Sequence, residues 1–454
     1  MSVHEEVRKS AHDEARERFL ALHAGFAATR GSEPAWLAAL RARSLDAFRE
    51  QGLPHTRMEE WRNTNVAPLA KVPFALAAPG GAVARPDLEH HAFPVFACSV
   101  FVFVNGRFAP ALSAARRLEC GTTVESIAAL LRDEPDALAA RLGAQVDVKL
   151  HPFAALANAF ALDGACVRVP PGAGTEQPIH LVFVSAPAAD GASALVHPRV
   201  VVEAAPGSRL TLIQDHVCVG TSPGFTNAVT EIQVGAGAQV DFVLIQREPD
   251  YRFHVSNLAV VQERDSRLSA HTLCFGGALV RNDAGVLLVG EGAECRLDGL
   301  FVAGGKQLVD NHTIVDHAVP HCTSQETYKG IVGGQARGVF RGRIVVRPDA
   351  QKTNARQSNP NLLLGAGAEV DTKPQLEILA DDVKCSHGSS VGQLDPDAFF
   401  YLRSRGLGED VARDLLTRAF AQEILRGLPS PALADALDDV LQQKLHLAHA
   451  GGLS

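Results

Sequence analysis

Apolar residues recur at three- and four-residue steps along Val3, Val7, Ala11, Ala15, Phe19, Leu22 and Phe26, the spacing of one helix face. A second helix is expected next. Ser32 serves as its cap, Pro34 sits in its first turn, Trp36, Leu37, Leu40, Leu45 and Phe48 form its apolar side, and Gly52 stops it. From about Phe96 the period falls to two or to short continuous apolar runs, as in VFACSVFVFVNG and QPIHLVFV, and these predict strands. The end of the chain reverts to helix. DPDAFFYLRSRGL starts at Pro396 and Asp397 and ends at Gly406, and Val411, Leu415, Leu416, Ala419, Phe420, Ile424 and Leu425 mark an amphipathic helix after it. Ser430 and Pro431 then open a third, carrying Leu433, Leu437, Val440, Leu441 and Leu445.

Between residues 195 and 300 the strand pattern repeats itself. PGSRLTLIQ (206–214), AGAQVDFVLIQ (236–246), RDSRLSAHTL (264–273) and EGAECRLDGLF (291–301) each place a turn residue and a small residue before alternating apolar positions. Aligned on Gly207, Gly237, Asp265 and Gly292, they step by 30, 28 and 27 residues, and AGAEVDTKPQLEI (366–378) fits the same template. A recurrence of this length, made of strands and turns, predicts a β-solenoid in which each unit buries its face by stacking on the next. A large β-sandwich is the alternative, although its turns usually recur at shorter spacing. Helices on both flanks would supply the caps that a solenoid needs at its ends. The expected division is a helical region over 1–95, a mixed α/β connection over 96–164, the solenoid over 165–395 and a helical domain over 396–454.

Length alone gives a prior of roughly three domains. With 46% hydrophobic and 21% charged residues the chain reads as a folded globular protein. Its 43 Lys and Arg against 51 Asp and Glu leave a net charge of −8, which offers no broad attraction to nucleic acid or anionic lipid. The charged N-terminus lacks a signal-peptide apolar stretch and no later run has the length to span a bilayer, so a cytoplasmic location is expected. Eight cysteines, Cys98, Cys120, Cys166, Cys218, Cys274, Cys295, Cys322 and Cys385, lie far apart without a C-x-x-C, and most are expected to be small buried hydrophobes. LFVAGGKQ fails as a phosphate loop, and the glycines of GAGAQV, GEGAEC and GAGAEV read as solenoid turns.

The most distinctive chemistry lies in DDVKCSHGSSVGQLD (381–395), where Cys385 and His387 stand two positions apart. If residues 382–387 are extended, both side chains lie on one face about 7 Å apart. A thiolate and an imidazole suit iron, iron–sulfur clusters or zinc, yet two ligands cannot close a tetrahedral site, so the rest would come from another chain. The plain alternative is a buried cysteine beside a structural histidine. A third reading makes Cys385 a nucleophile and His387 its base, which that separation disfavours. Asp381 and Asp382, adjacent on a strand, would face opposite ways. His312, His317, His321 and Cys322 gather in HTIVDHAVPHC, but their spacing does not force convergence and they receive no role. A β-helix enzyme acting on polysaccharide is the competing class, disfavoured by only two Trp and three Tyr.

The run QKTNARQSNPNLLLGAGAEVDTKPQLEILADDVKCSHGSSVGQLDPDAFFYLRSRGL (351–407), with EEWRNTNV (59–66), SQETYKGIV (324–332) and GVFRGRIVV (338–346), closely resembles the SufB/SufD family of the SUF iron–sulfur cluster assembly system. Lys384, Cys385, Ser386, His387 and Gly388 resemble its SufD branch, and GSSVGQL departs slightly from the Ala and Thr frequent there. The resemblance implies a right-handed parallel β-helix core between N-terminal and C-terminal helical segments. It implies a non-catalytic scaffold subunit that pairs with SufB through the core and binds SufC, the ABC ATPase, through its C-terminal helices. Phe399, Tyr401, Leu402, Arg403, Arg405, Gly406 and Phe420 are assigned to SufC binding on that ground. His387 and Cys385 would then face SufB and share a transient Fe–S cluster with it. A flavin at the level of the complex and a homodimer of the isolated chain stay open.

Overall fold

From Arg199–Ala204 onward, strands that follow one another in sequence alternate between two sheets, and within each sheet these neighbours are parallel and in register. The computed structural model describes residues 10–77, 83–89, 98–114, 118, 120–188 and 191–450. One sheet runs from Ala165–Val169 to Glu369–Ile378, the other from Ser99–Val104 to Lys384–Gly392. Each coil therefore adds one strand to either sheet, which makes the chain a β-solenoid.

Register explains the core. Val202, Ile232, Val260, Val286, Val315, Ile344 and Leu376 stack in one inward column, each the strand partner of the next. Identical positions in successive coils lie about 4.8 Å apart, so β-branched side chains fill such a column without gaps. The turns obey the same stacking. Gly207, Gly237, Asp265 and Gly292 all have positive φ (71°, 66°, 54° and 74°), and His321 and Lys352 continue the series at 62° each. AGAEVDTKPQLEI belongs elsewhere: its strand, Glu369–Ile378, lies in the opposite sheet, paired with Arg337–Val346. Its apolar alternation is that of any strand in either sheet, which is why the template accepted it.

The helices do not cap the solenoid's ends as expected; they cover its flanks. Ile213, Val243, Ile245, Leu273, Phe275, Leu300, Val302 and Ile331 point outward from the second sheet, and Leu433, Leu437, Leu441 and Leu445 of helix Pro431–Ala450 bury them with Ala421, Ile424 and Leu425 of helix Glu409–Leu425. On the other flank, Phe19, Phe48, Trp61, Phe74 and Phe153 pack against Phe225, Phe253 and Leu279 of the first sheet. Outward apolar residues on both sheets demand this cover, whereas a cap would have left them wet. The N-terminal end is closed instead by antiparallel pairing, of Thr123–Ser126 with Ala165–Val169 and of Arg107–Phe108 with Ser99–Val104.

The first described helix, Ala11–Ala28, is capped by the Ser10 hydroxyl, and Ala15, Phe19 and Phe26 are its buried face; Val3 and Val7 lie outside the described residues. Helix Ala35–Gln51 ends at Gly52 as the pattern predicts, but Pro34 takes its N-cap without a side-chain bond, and Ser32 caps nothing. The segment EEWRNTNV is a clasp on the first sheet. Arg281 lies 4.3 Å from the Trp61 ring centre, donates to Glu60 O at 2.9 Å and pairs with Asp310 at 2.6 Å, while Arg341 and Lys373 each hold Glu59 at 3.0 Å.

Candidate functional site

The last coil has no successor. Lys384–Gly392 pairs along its whole length with Asn354–Leu363, and its other edge is open, so the burial that alternates in earlier strands gives way to near-continuous exposure. Ile378, Leu379 and Val391, all in this coil, are exposed large hydrophobics. A bare strand edge with apolar side chains is a ready surface for another chain.

On this strand Cys385 is the partner of buried Ala355 and packs against Ile344, Val346 and Ala380, so it occupies an inward column. His387, two residues on, shares that face by strand alternation, yet it is exposed because nothing stacks above it. Burial pushes the Cys385 thiol up, with only a backbone hydrogen bond pulling the other way. A thiol held in its neutral form is the opposite of an activated nucleophile. The strand begins at Lys384, so Asp381 and Asp382 lie in the corner before it, where Lys352 pairs with Asp382. Gly388 is also inside the strand, where it removes a side chain from an extended segment.

Two residues that the sequence pattern left unmarked lie beneath His387. Gln357 is its strand partner, and Glu326 is the partner of Gln357 one coil further down. Both are buried, and burial holds the Glu326 carboxyl up at about 7. Their signal was the coil period, since Glu326, Gln357 and His387 are 31 and 30 residues apart, at strand positions that are apolar in earlier coils.

HTIVDHAVPHC does not converge. His312 belongs to the clasp, 3.0 Å from Asp310; His317 is buried against Ser324 at 2.9 Å, its pKa pushed down to about 4 by burial; His321 occupies an exposed positive-φ corner; and Cys322 is buried. Among the described residues no group of three or more His, Cys, Asp or Glu is placed to hold a metal ion. A second exposed apolar patch lies on the C-terminal helices. Helix Pro396–Ser404 has no buried residue, and Phe400 and Tyr401 are 72% and 58% exposed. Tyr401, Leu402, Arg403, Arg405 and Gly406 share this helix and its end, with Arg405 5.2 Å from the Tyr401 ring; Phe399 is half-buried under Arg413. Val411 and Leu415 of the next helix are exposed large hydrophobics as well, and neither they nor Phe400 was singled out beforehand as a partner contact. Phe420 is apart from the patch, turned to the solenoid where Lys329 sits 4.5 Å from its ring centre and donates to its carbonyl oxygen at 3.0 Å. No described helix is long and apolar enough to cross a membrane.

Comparison with known proteins agrees with this architecture. The family described as SUF system FeS cluster assembly, SufBD core domain, matches residues 186–420, and the SufBD protein N-terminal region matches residues 15–181. An iron–sulfur cluster assembly SufBD family protein of Synechocystis is 34% identical over 415 residues, covering 90% of this chain and 91% of its own. The iron–sulfur cluster assembly protein SufD of Escherichia coli is 32% identical over 402 residues, covering 88% and 91%, and SufD of Bacillus subtilis is 25% identical over 431 residues, covering 91% and 95%. With the two family matches spanning helical flank and solenoid alike, the chain belongs to the SufBD family of iron–sulfur cluster assembly proteins.

Proposed function

We propose that this chain is a SufD-type scaffold subunit, which pairs with SufB through the open end of the solenoid and engages the ATPase SufC through the exposed C-terminal patch. The nascent Fe–S cluster is its cargo, held between His387 and Cys385 on this side and ligands of SufB on the other. One observation carries the reading: the only Cys-x-His strand of the chain is the uncovered terminal strand, with its imidazole exposed and its edge unpaired. A half-complete ligand set suits an assembly site, because a closed protein cage would keep the cluster rather than pass it on. ATP hydrolysis falls to SufC, and the chain itself contributes shape and ligands.

Reconstitution of the three-subunit complex without oxygen tests this. His387→Ala is expected to leave the subunits associated but to abolish most of the cluster absorbance, with Cys385→Ser giving the smaller loss because a hydroxyl is a poor ligand for soft metals. Full cluster yield from His387→Ala would remove the imidazole from the site.

A further inference from the structure

The inward column that ends at His387 changes character along the solenoid. Leu212, Phe242, Ala270 and Leu297 give way to Glu326 and Gln357 just before the exposed imidazole. Glu326 is 2% exposed and Gln357 3%. Gln357 Nε2 donates to Glu326 Oε2 at 2.5 Å. The opposite sheet leaves room for that amide: a methyl group added at Gly342 would come within 2.2 Å of Gln357 Nε2. The other end of the amide, Gln357 Oε1, is buried and has no hydrogen-bond partner among the described residues. Buried acceptors are rarely left so, and each one calls for a donor. Glu326 takes the N–H end, so the carbonyl end is left for the other neighbour in the column, and that neighbour is His387.

We propose that Gln357 is a positioning residue for His387: with the exposed imidazole turned inward over the column, Oε1 accepts a ring N–H, fixing one tautomer and leaving the other ring nitrogen free, with its lone pair, at the open end. Glu326 sets the direction of the amide, because a flipped Gln357 would present its N–H groups to the ring and favour the other tautomer. A ligating imidazole is held in this way by a hydrogen bond on its second nitrogen in many metal sites. The hydrogen bond itself is independent of what His387 binds; its consequence for cluster assembly rests on the function proposed above.

The test uses the full chain labelled with nitrogen-15 histidine, at a pH above the ordinary imidazole range, with His387→Ala identifying the His387 signals. Native protein is expected to show the widely separated nitrogen shifts of a single tautomer, and Gln357→Leu to collapse them toward an average. Because leucine could loosen the coil, the exchange Glu326→Gln with Gln357→Glu is the second variant. It keeps a hydrogen bond within the pair and an acceptor at position 357, and is expected to restore the single tautomer. An unchanged pattern in Gln357→Leu, or a pattern that the exchange fails to restore, overturns the proposal. In the reconstituted complex, Gln357→Leu is expected to lower iron retention by about 10-fold, with recovery in the exchange. Shifted tautomers with unchanged iron retention would leave the positioning role standing and overturn instead the reading of His387 as a cluster ligand.

Discussion

Glu326 carries an ionisable group into a column that is otherwise apolar below it, and burial raises its pKa to about 7 against hydrogen bonds from Thr313 and Gln357 that lower it. An acid whose folded value exceeds its unfolded one contributes stability that is complete below the unfolded value, here the ordinary 4.5, and is lost as pH rises through the folded value. The full swing is bounded at about 3 kcal/mol. Urea unfolding from about pH 5 to about pH 8 should therefore show a fall in midpoint that Glu326→Gln, which stays neutral, shows much less. Equal slopes in the two proteins would mean that the carboxyl is ionised throughout. The same strand alternation that made Cys385 and His387 neighbours in the sequence also buries Glu326, but the pattern of one strand cannot reveal the stack. Only the register of three successive coils does so.

The C-terminal helices cover the second sheet with one face and leave apolar residues exposed on another. Leu433, Leu437, Leu441 and Leu445 seal the second sheet, and each is a site where truncation to Ala costs about 2–5 kcal/mol. Removal of residues 408–454 would thus expose the flank, and loss of SufC binding after such a deletion would prove little about the proposed surface. Point changes on helix Pro396–Ser404 separate the two, because none of its residues is buried. Phe400→Asp and Tyr401→Asp are expected to leave the melting temperature within about 2 °C, since surface substitutions are close to neutral, and to abolish co-purification with SufC. Retained capture by the double variant would move SufC binding elsewhere. The helices themselves were readable from their apolar spacing, whereas Phe420 was assigned to the partner surface by resemblance, and periodicity cannot tell which neighbour an apolar face meets. Lys329 decides that it meets the solenoid.

At the scale of the molecule, the solenoid is closed at one end by antiparallel strands and open at the other, where Ile378, Leu379 and Val391 are exposed. An open parallel edge of this kind is expected to find a substitute when its partner is absent. The isolated chain should self-associate through it, and Val391→Lys should shift sedimentation toward the monomer, since a charge on an edge strand disfavours edge pairing. A wild-type chain that stays monomeric at high concentration would show that the edge alone is insufficient. The clasp reaches this end too: Glu59 of the N-terminal segment is held by Lys373 of the terminal coil.

Local pattern was enough for the helices, the strands, a turn period of about thirty residues and the Cys385–His387 pair, because each depends on neighbours a few positions apart. Beyond Gly292 the repeat was carried on to the wrong strand, AGAEVDTKPQLEI, because the true corners, His321 and Lys352, adopt the left-handed conformation without being glycine, at a cost of about 1–2 kcal/mol each that coil stacking offsets. Which flank each helix covers, which end stays open and which polar residues line up beneath His387 came from tertiary structure alone. These depend on side chains brought together by the stacking of coils, at separations of roughly thirty residues or more, and no local window of the sequence contains both members of such a contact.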